Sequence, residues 1–288
     1  MGYVDSHVHV WVKEIMSDEM IRRISRTLNS RGGSALLNII EIIREMDEAN
    51  LEYVVNIVYP SREMWGSDEE TVLRAIDFFR KYSDRFSIVG GVQVNRLSEK
   101  ETKYWLERQY EAGVSGFKMH SSHMWLKPNA YRPDEDGLKQ LEMLYEFAQD
   151  HNLPVIIHTG TSYFPVARNK YADPIFADDI AIDFPRLSII LAHSGRPIWV
   201  NTAFQLARIR KNIYLDLSSI PPKRLLEYLP RLEEIKDKCL YGSDYPDMGV
   251  KGLKENLLEF LGIQLSKEAI SIMTQLNPKK FFKPLANK

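Results

Sequence analysis

The sequence predicts an α/β fold of the (β/α)8 TIM barrel type, and three observations carry that expectation. Short apolar runs alternate with longer amphipathic ones from end to end. Eight short runs can be counted, with helical patterns between them, as a closed ring of parallel strands requires. The polar residues able to carry chemistry fall at the C-terminal ends of those runs, the face on which barrel sites form. At 288 residues the chain is long enough for one such barrel, and no linker, low-complexity tract or repeat divides it, so residues 1–288 are read as a single domain. A doubly wound open sheet is the alternative.

Taken in order, the first strand is "YVDSHVHV" (3–10). Successive strand residues point to opposite sides, which puts Asp5, His7 and His9 on one face and Val4, Val8 and Val10 on the other. Burying that polar face is costly unless its groups are paired or bound to something, and a metal ion would meet the need. The segment 11–33 follows. Met16, Met20, Ile24 and Leu28 keep helical spacing there, so part of "SDEMIRRISRTLNS" is expected to be helical over the barrel mouth, with Trp11 lining the pocket.

The pattern "ALLNIIEIIREMDEAN" (35–50) then precedes the second strand, "YVVNIVY" (53–59). The helical "DEETVLRAIDFFRKY" (68–82) leads to the third, "FSIVGGVQV" (86–94), and "KETKYWLERQYEAG" (100–113) to the fourth, "VSGFKMH" (114–120). A second long connection, 121–134, is another candidate lid. After "GLKQLEMLYEFAQDH" (137–151) comes the fifth strand, "LPVIIH" (153–158). Asp173-Pro174 reads as a capping side chain with proline in the first turn of a helix through "IFADDIAIDF". The last three strands are "LSIILAH" (187–193), "IYLDLSS" (213–219) and "CLYGSD" (239–244).

Composition excludes several classes of partner. Lys plus Arg number 38 against 39 Asp plus Glu, with no basic run, so neither nucleic acid nor an anionic membrane is expected. No stretch approaches the length of a membrane span. The single Cys239 excludes an internal disulfide and fits a reducing compartment, so a cytoplasmic location is expected. "MGYVDS" matches an N-acylation pattern, but Gly2 leads straight into the first strand and lipidation is not expected.

The strand ends carry the functional argument. His7 and His9 close the first strand, Lys118 and His120 the fourth, His158 the fifth, His193 the sixth and Asp244 the eighth, leaving only His123 and His151 elsewhere. A lone strand-end histidine is most often a hydrogen-bonded residue with no ligand, and an Asp after Gly-Ser is often a turn residue. Two imidazoles on one strand face can chelate a single ion, and imidazole and carboxylate converging on one end of a barrel suit zinc, manganese or iron with open positions.

The pieces "VDSHVHVW", "GFKMH", "VIIHTG", "FPRLSIILAHSG", "IYLDLSS", "YGSDYP" and "NPKKFF" together resemble the amidohydrolase superfamily, in particular its aminocarboxymuconate-semialdehyde decarboxylase-like branch. The resemblance implies His7, His9, His158 and Asp244 as ligands of a divalent metal, Zn2+ first, with Mn2+ or Fe2+ as alternatives. It implies His193 as the residue that hydrogen-bonds water and the reacting group, and Asp244 also as proton acceptor. For Lys118 it leaves two readings: a lysine that binds a substrate carboxylate, or a carbamylated bridge between two metals. His120 is a candidate substrate contact or supporting partner. Arg196 is placed either to meet an anionic substrate or on the surface. The expected function is hydrolysis of a C–N or C–O bond in a small carboxylated molecule. Non-oxidative decarboxylation is the second reading, and a non-catalytic binding barrel the third. Relatives sharing the resemblance are often dimers, and the sequence leaves a homodimer and a monomer both open.

Overall fold

A computed structural model of the chain describes residues 2–29, 36–247 and 249–287. Each of the eight apolar runs contains a strand: β1 (Tyr3–Val8), β2 (Leu51–Ile57), β3 (Phe86–Val89), β4 (Phe117–Met119), β5 (Val155–His158), β6 (Ile189–Ala192), β7 (Ile213–Asp216) and β8 (Cys239–Leu240). All neighbouring pairs within β1–β3 and β4–β8 are parallel. The two groups join into one ring. Gly90 pairs with Phe117 and Lys118 N donates to Gly90 O at 2.7 Å, while Val8 pairs with Tyr245 and Asp244 N donates to His7 O at 2.8 Å.

Amphipathic spacing places α1 (Asp18–Asn29), α2 (Ile39–Glu48), α3 (Glu69–Phe79), α4 (Glu99–Ala112) and α6 (Lys139–Asp150); the helices also include the short α5 (Ser121–Met124), α7 (Ala177–Asp183) and α8 (Val200–Ile209), and further helices follow α8. Asp68 and Ser98 start α3 and α4 with reciprocal capping boxes. Asp173 accepts from Ile175 N at 3.0 Å and opens the single turn that leads into α7. No helix among the described residues is long and apolar enough to cross a membrane.

Side-chain alternation builds two cores. Val155 and Ile157 of β5, Ile189 and Leu191 of β6, and Ile213 and Leu215 of β7 pack in the larger cluster beneath the helices. Ile156, Ile190 and Tyr214 join Val55, Val89 and Leu240 in a smaller cluster whose members come from strands around the ring, which places it inside the barrel. The inward register therefore ends, one pleat further along, in Lys118, His158 and Asp216.

The strict alternation expected for β1 does not hold. Val4 packs in the inner cluster, Val8 in the outer one, and the pairing with β2 shifts register between Asp5 and Val8. Asp5 consequently turns its Oδ1 onto the backbone N–H groups of Ser243 (2.9 Å) and His7 (3.1 Å). It ties the first strand to the eighth and is not among the residues that line the cleft.

Candidate active site

The C-terminal ends of the strands open into a cleft of about 700 Å3, its mouth included. His9, Lys118, His120, His158, His193, Arg196 and Asp244 all border it. Three ligand atoms, one each from His7, His193 and Asp244, lie within 4.8 Å of one another. Asp244 Oδ1 is 3.4 Å from His7 Nε2 and 3.3 Å from His9 Nε2, and its Oδ2 is 3.7 Å from His193 Nδ1. His158 stands beside this group, its ring centroid 4.9 Å from that of His193, with both nitrogens buried and unpartnered. Among the described residues, the trio whose ligand atoms meet is His7, His193 and Asp244; of the set implied by the resemblance, His9 touches it through Asp244 and His158 lies beside His193.

The local backbone is bent to achieve this. His193, Ser194 and Asp244 have φ of 63°, 49° and 66°, in the left-handed region that costs a non-glycine residue on the order of 1 kcal/mol or more. Gly242 lets the closing strand lie against β1, because a Cβ there would sit 2.8 Å from His7 Cβ and 3.0 Å from Asp216 Oδ1.

Asp216 was not singled out from sequence, and it holds the centre of the site. Its Oδ2 makes a short, fully buried hydrogen bond to His7 Nδ1, while its Oδ1 accepts from Ser218 N at 2.9 Å. An imidazole that donates from Nδ1 presents a lone pair at Nε2, and His7 Nε2 is buried with no hydrogen bond among the described residues. His9 is oriented likewise through Nδ1, 2.9 Å from Ile57 O. His123, set apart in the sequence reading, also belongs to the cleft. It projects from α5, and its ring stacks on His120 at a centroid distance of 3.4 Å, with His158 on the other face of His120 at 3.8 Å. His151 stays at the end of α6, bonded to Phe147 O.

Burial opposes ionisation of Asp244, but His193, His7 and His9 outweigh it and hold the carboxyl well below the usual carboxylate range. Asp216 is held down in the same way by His7. Burial pushes His158 far below ordinary imidazole values, which keeps it neutral and able to ligate, and pushes His193 the same way against the opposing pull of Asp244. Lys118 is buried with Nζ unpartnered, and desolvation lowers it to about 8 despite the nearby Asp216 and Asp244. Arg196 is not a free surface arginine: Nη1 donates to Thr161 O at 3.1 Å, Nη2 to Ser219 Oγ, and Asp247 Oδ2 lies 4.0 Å away.

The first long connection covers the mouth as its length suggests. Trp11 and Ile24 line the cleft, α1 carries Met20 and Ile24 buried, and Arg23 Nη1 pins the helix to the carbonyls of Arg62 (3.0 Å) and Glu63 (3.2 Å). Met16 is buried just before the helix starts. The side chain of Leu28 and residues 30–33 lie outside the described residues.

Fold and site together define a barrel enzyme with a histidine–aspartate centre of the kind that binds a divalent metal. The Amidohydrolase family model matches residues 4–283, and the chain belongs to that family of metal-dependent enzymes. A search of curated proteins returns no match. Among solved structures, an uncharacterized TIM-barrel protein from Bordetella bronchiseptica is 20% identical with a TM-score of 0.77, covering 98% of both chains. The 5-carboxyvanillate decarboxylase of Sphingomonas paucimobilis is 13% identical over 98% of this chain and 99% of its own, with a TM-score of 0.64. The 4-oxalomesaconate hydratase of Rhodopseudomonas palustris is 14% identical over 97% and 95%, with a TM-score of 0.65. At these identities the likeness is one of fold.

Proposed function

We propose that this protein is a metal-dependent hydrolase that adds water across a C–N or C–O bond of a small carboxylated substrate. The observation that carries the reading is the convergence of His7, His193 and Asp244 around a buried, unpartnered His7 Nε2. Buried nitrogen and oxygen ligand atoms that meet around such a nitrogen fit a divalent cation, Zn2+ first and Mn2+ or Fe2+ as alternatives. His7, His193 and Asp244 would hold it, with His9 and His158 at the edge of the group. When bound, such an ion supplies positive charge that acidifies water and polarises a carbonyl.

The remaining roles fall to side chains. Asp244, kept ionised by the imidazoles around it, accepts the proton of the attacking water at a carboxylate oxygen and returns it to the departing nitrogen or oxygen. Lys118 and Arg196 give the cleft two cationic groups for a substrate carboxylate, and His120 borders the same space. Trp11, Trp65 and Phe164 form an apolar wall that limits water entry.

Non-oxidative decarboxylation is the second reading, favoured by that aromatic wall, which suits a planar ring, and by the named activity of the Sphingomonas neighbour. Metal-loaded protein offered carboxylated lactones, amides and phenols separates the two. Acid released without CO2 supports hydrolysis, and CO2 release transfers the assignment to the second reading. Neither product from a fully loaded protein across the panel counts against both.

A further inference from the structure

A chain of polar contacts runs along the cleft wall apart from the ligand cluster. Tyr59 Oη lies 3.1 Å from His123 Nδ1, and His123 Nε2 lies 3.2 Å from Ser162 Oγ. Tyr59 and His123 are buried, and Ser162 borders the cleft. The backbone of Ser162 is clamped on both sides by one side chain. Its N–H donates to Asn169 Oδ1 at 2.8 Å, and its carbonyl accepts from Asn169 Nδ2 at 3.1 Å.

Hydrogen-bond chains have a direction, and here the inner end sets it. A neutral imidazole donates from one nitrogen and accepts at the other. If His123 donated from Nδ1, the buried Tyr59 hydroxyl would need another acceptor. Its other hydrogen-bonding neighbour among the described residues is the Trp65 indole, whose N–H can only donate. A buried hydroxyl hydrogen without an acceptor costs roughly 1–3 kcal/mol. Tyr59 therefore donates to Nδ1, and His123 carries its proton on Nε2 and donates to Ser162 Oγ. Burial, with Lys118 and His9 nearby, keeps His123 far below its ordinary value and so neutral. With His123 donating to one lone pair of Ser162 Oγ, the serine hydrogen cannot point back at His123 and is left to donate elsewhere.

We infer that the Tyr59–His123 chain fixes Ser162 as a hydrogen-bond donor into the cleft, where it selects substrates that present an acceptor oxygen beside Arg196. The placement beside Arg196 follows from the preceding residue, since the Thr161 carbonyl accepts from Arg196 Nη1. The acceptor would be a carboxylate, carbonyl or ester oxygen; a group that can only donate, such as an ammonium, would have to share the Ser162 oxygen with the His123 N–H and leave the hydroxyl hydrogen unused. The inference rests on the reading of the cleft as a substrate site, but it concerns which atom of the substrate the wall reads.

Two measurements test it. Long-range nitrogen–proton NMR of metal-loaded protein should show His123 as the neutral Nε2–H tautomer, and Tyr59→Phe should shift that tautomer balance. An Nδ1–H or doubly protonated His123 in the parent protein overturns the inference, whether or not any substrate is ever found. Benzoate, a planar probe with acceptor oxygens only, should then bind Ser162→Ala roughly tenfold more weakly, the scale of one hydrogen bond to a charged group. Ser162→Thr, which keeps the hydroxyl, should restore most of the affinity, and Tyr59→Phe should weaken it in the direction of Ser162→Ala. Absence of benzoate binding, or equal binding by Ser162→Ala and parent at matched metal content, rejects the acceptor subsite. Loss of the metal reading would instead show as an unloaded protein with the His123 tautomer unchanged.

Discussion

His7 and Asp216 share a buried hydrogen bond across the barrel, between residues 209 positions apart in sequence. The contact joins the first strand to the seventh and aims His7 Nε2 at Asp244. Removing it should loosen a ligand without touching the metal directly. Asp216→Ala is expected to weaken divalent-metal affinity by roughly 10–100-fold, the usual effect of losing a carboxylate behind a ligating histidine. Competition against a chromophoric chelator measures this, and unchanged affinity in a folded variant would contradict the assigned orientation.

The metal itself gives the second prediction. Protein prepared in zinc- or manganese-supplemented medium should hold about one equivalent of a transition metal by elemental analysis, and Asp244→Ala should lose most of it, since Asp244 lies between His7, His9 and His193. His158→Ala should also reduce metal and activity. Well under one equivalent of any such ion in the parent protein would sink this.

The strands and the first-strand histidine pair were legible because their signals are local. An apolar run such as "LPVIIH" announces both its period and its end, and His7 and His9 are adjacent enough to be read together. Asp216 was not legible in the same way. A single Asp inside "IYLDL" looks like an interruption until the ring closes and β7 faces β1. His123 was missed because α5 is a four-residue helix with no periodicity of its own, and only the stack on His120 brings it into the cleft. Asp5 was grouped with the histidines by alternation, which the register shift in β1 breaks.

Asp5 supplies a pH prediction. Desolvation is the main cause that raises its carboxyl to about 7, against an unfolded value near 3.9. Between those values the folded protein holds a proton that the unfolded chain has released. The contribution of Asp5 to the stability of the metal-free protein should therefore fall as pH rises from about 4 to about 7 and level off above, by at most roughly 4 kcal/mol, while the buried imidazoles of His158 and His193 act in the opposite direction. Asp5→Asn removes the titration, so its urea midpoint relative to the parent should improve between pH 4 and pH 8. Parallel midpoints across that window would refute the assignment.

The lid gives the fourth prediction. Arg23 ties α1 to the carbonyls of Arg62 and Glu63, while Ile24, the next residue, lines the cleft. Arg23→Ala should speed amide exchange in α1 and raise KM more than it lowers kcat, because the helix covers the site without supplying reacting groups. Hydrogen exchange resolved by peptide would show it. Unchanged protection of residues 18–26 would mean the arginine is not the anchor.

Lys118 decides how many metals the site holds. Two cations a few ångströms apart need a bridging anion, and a free ammonium beside them would be repelled. The Lys118 amine is buried, has no hydrogen-bond partner among the described residues, and is lowered by desolvation to about 8. At neutral pH it is therefore still mostly protonated, and its nearest charges are Asp216 and Asp244. A protonated lysine in that position favours one cation and an anionic substrate over a second cation. We expect Lys118→Ala to keep a full equivalent of metal while losing affinity for carboxylated substrates, with Lys118→Arg recovering part of the affinity. Elemental analysis beside steady-state kinetics makes the comparison. Two equivalents of metal in the parent falling to one or none in Lys118→Ala, or electron density for a carbamate on Nζ between two ions, would reverse the assignment.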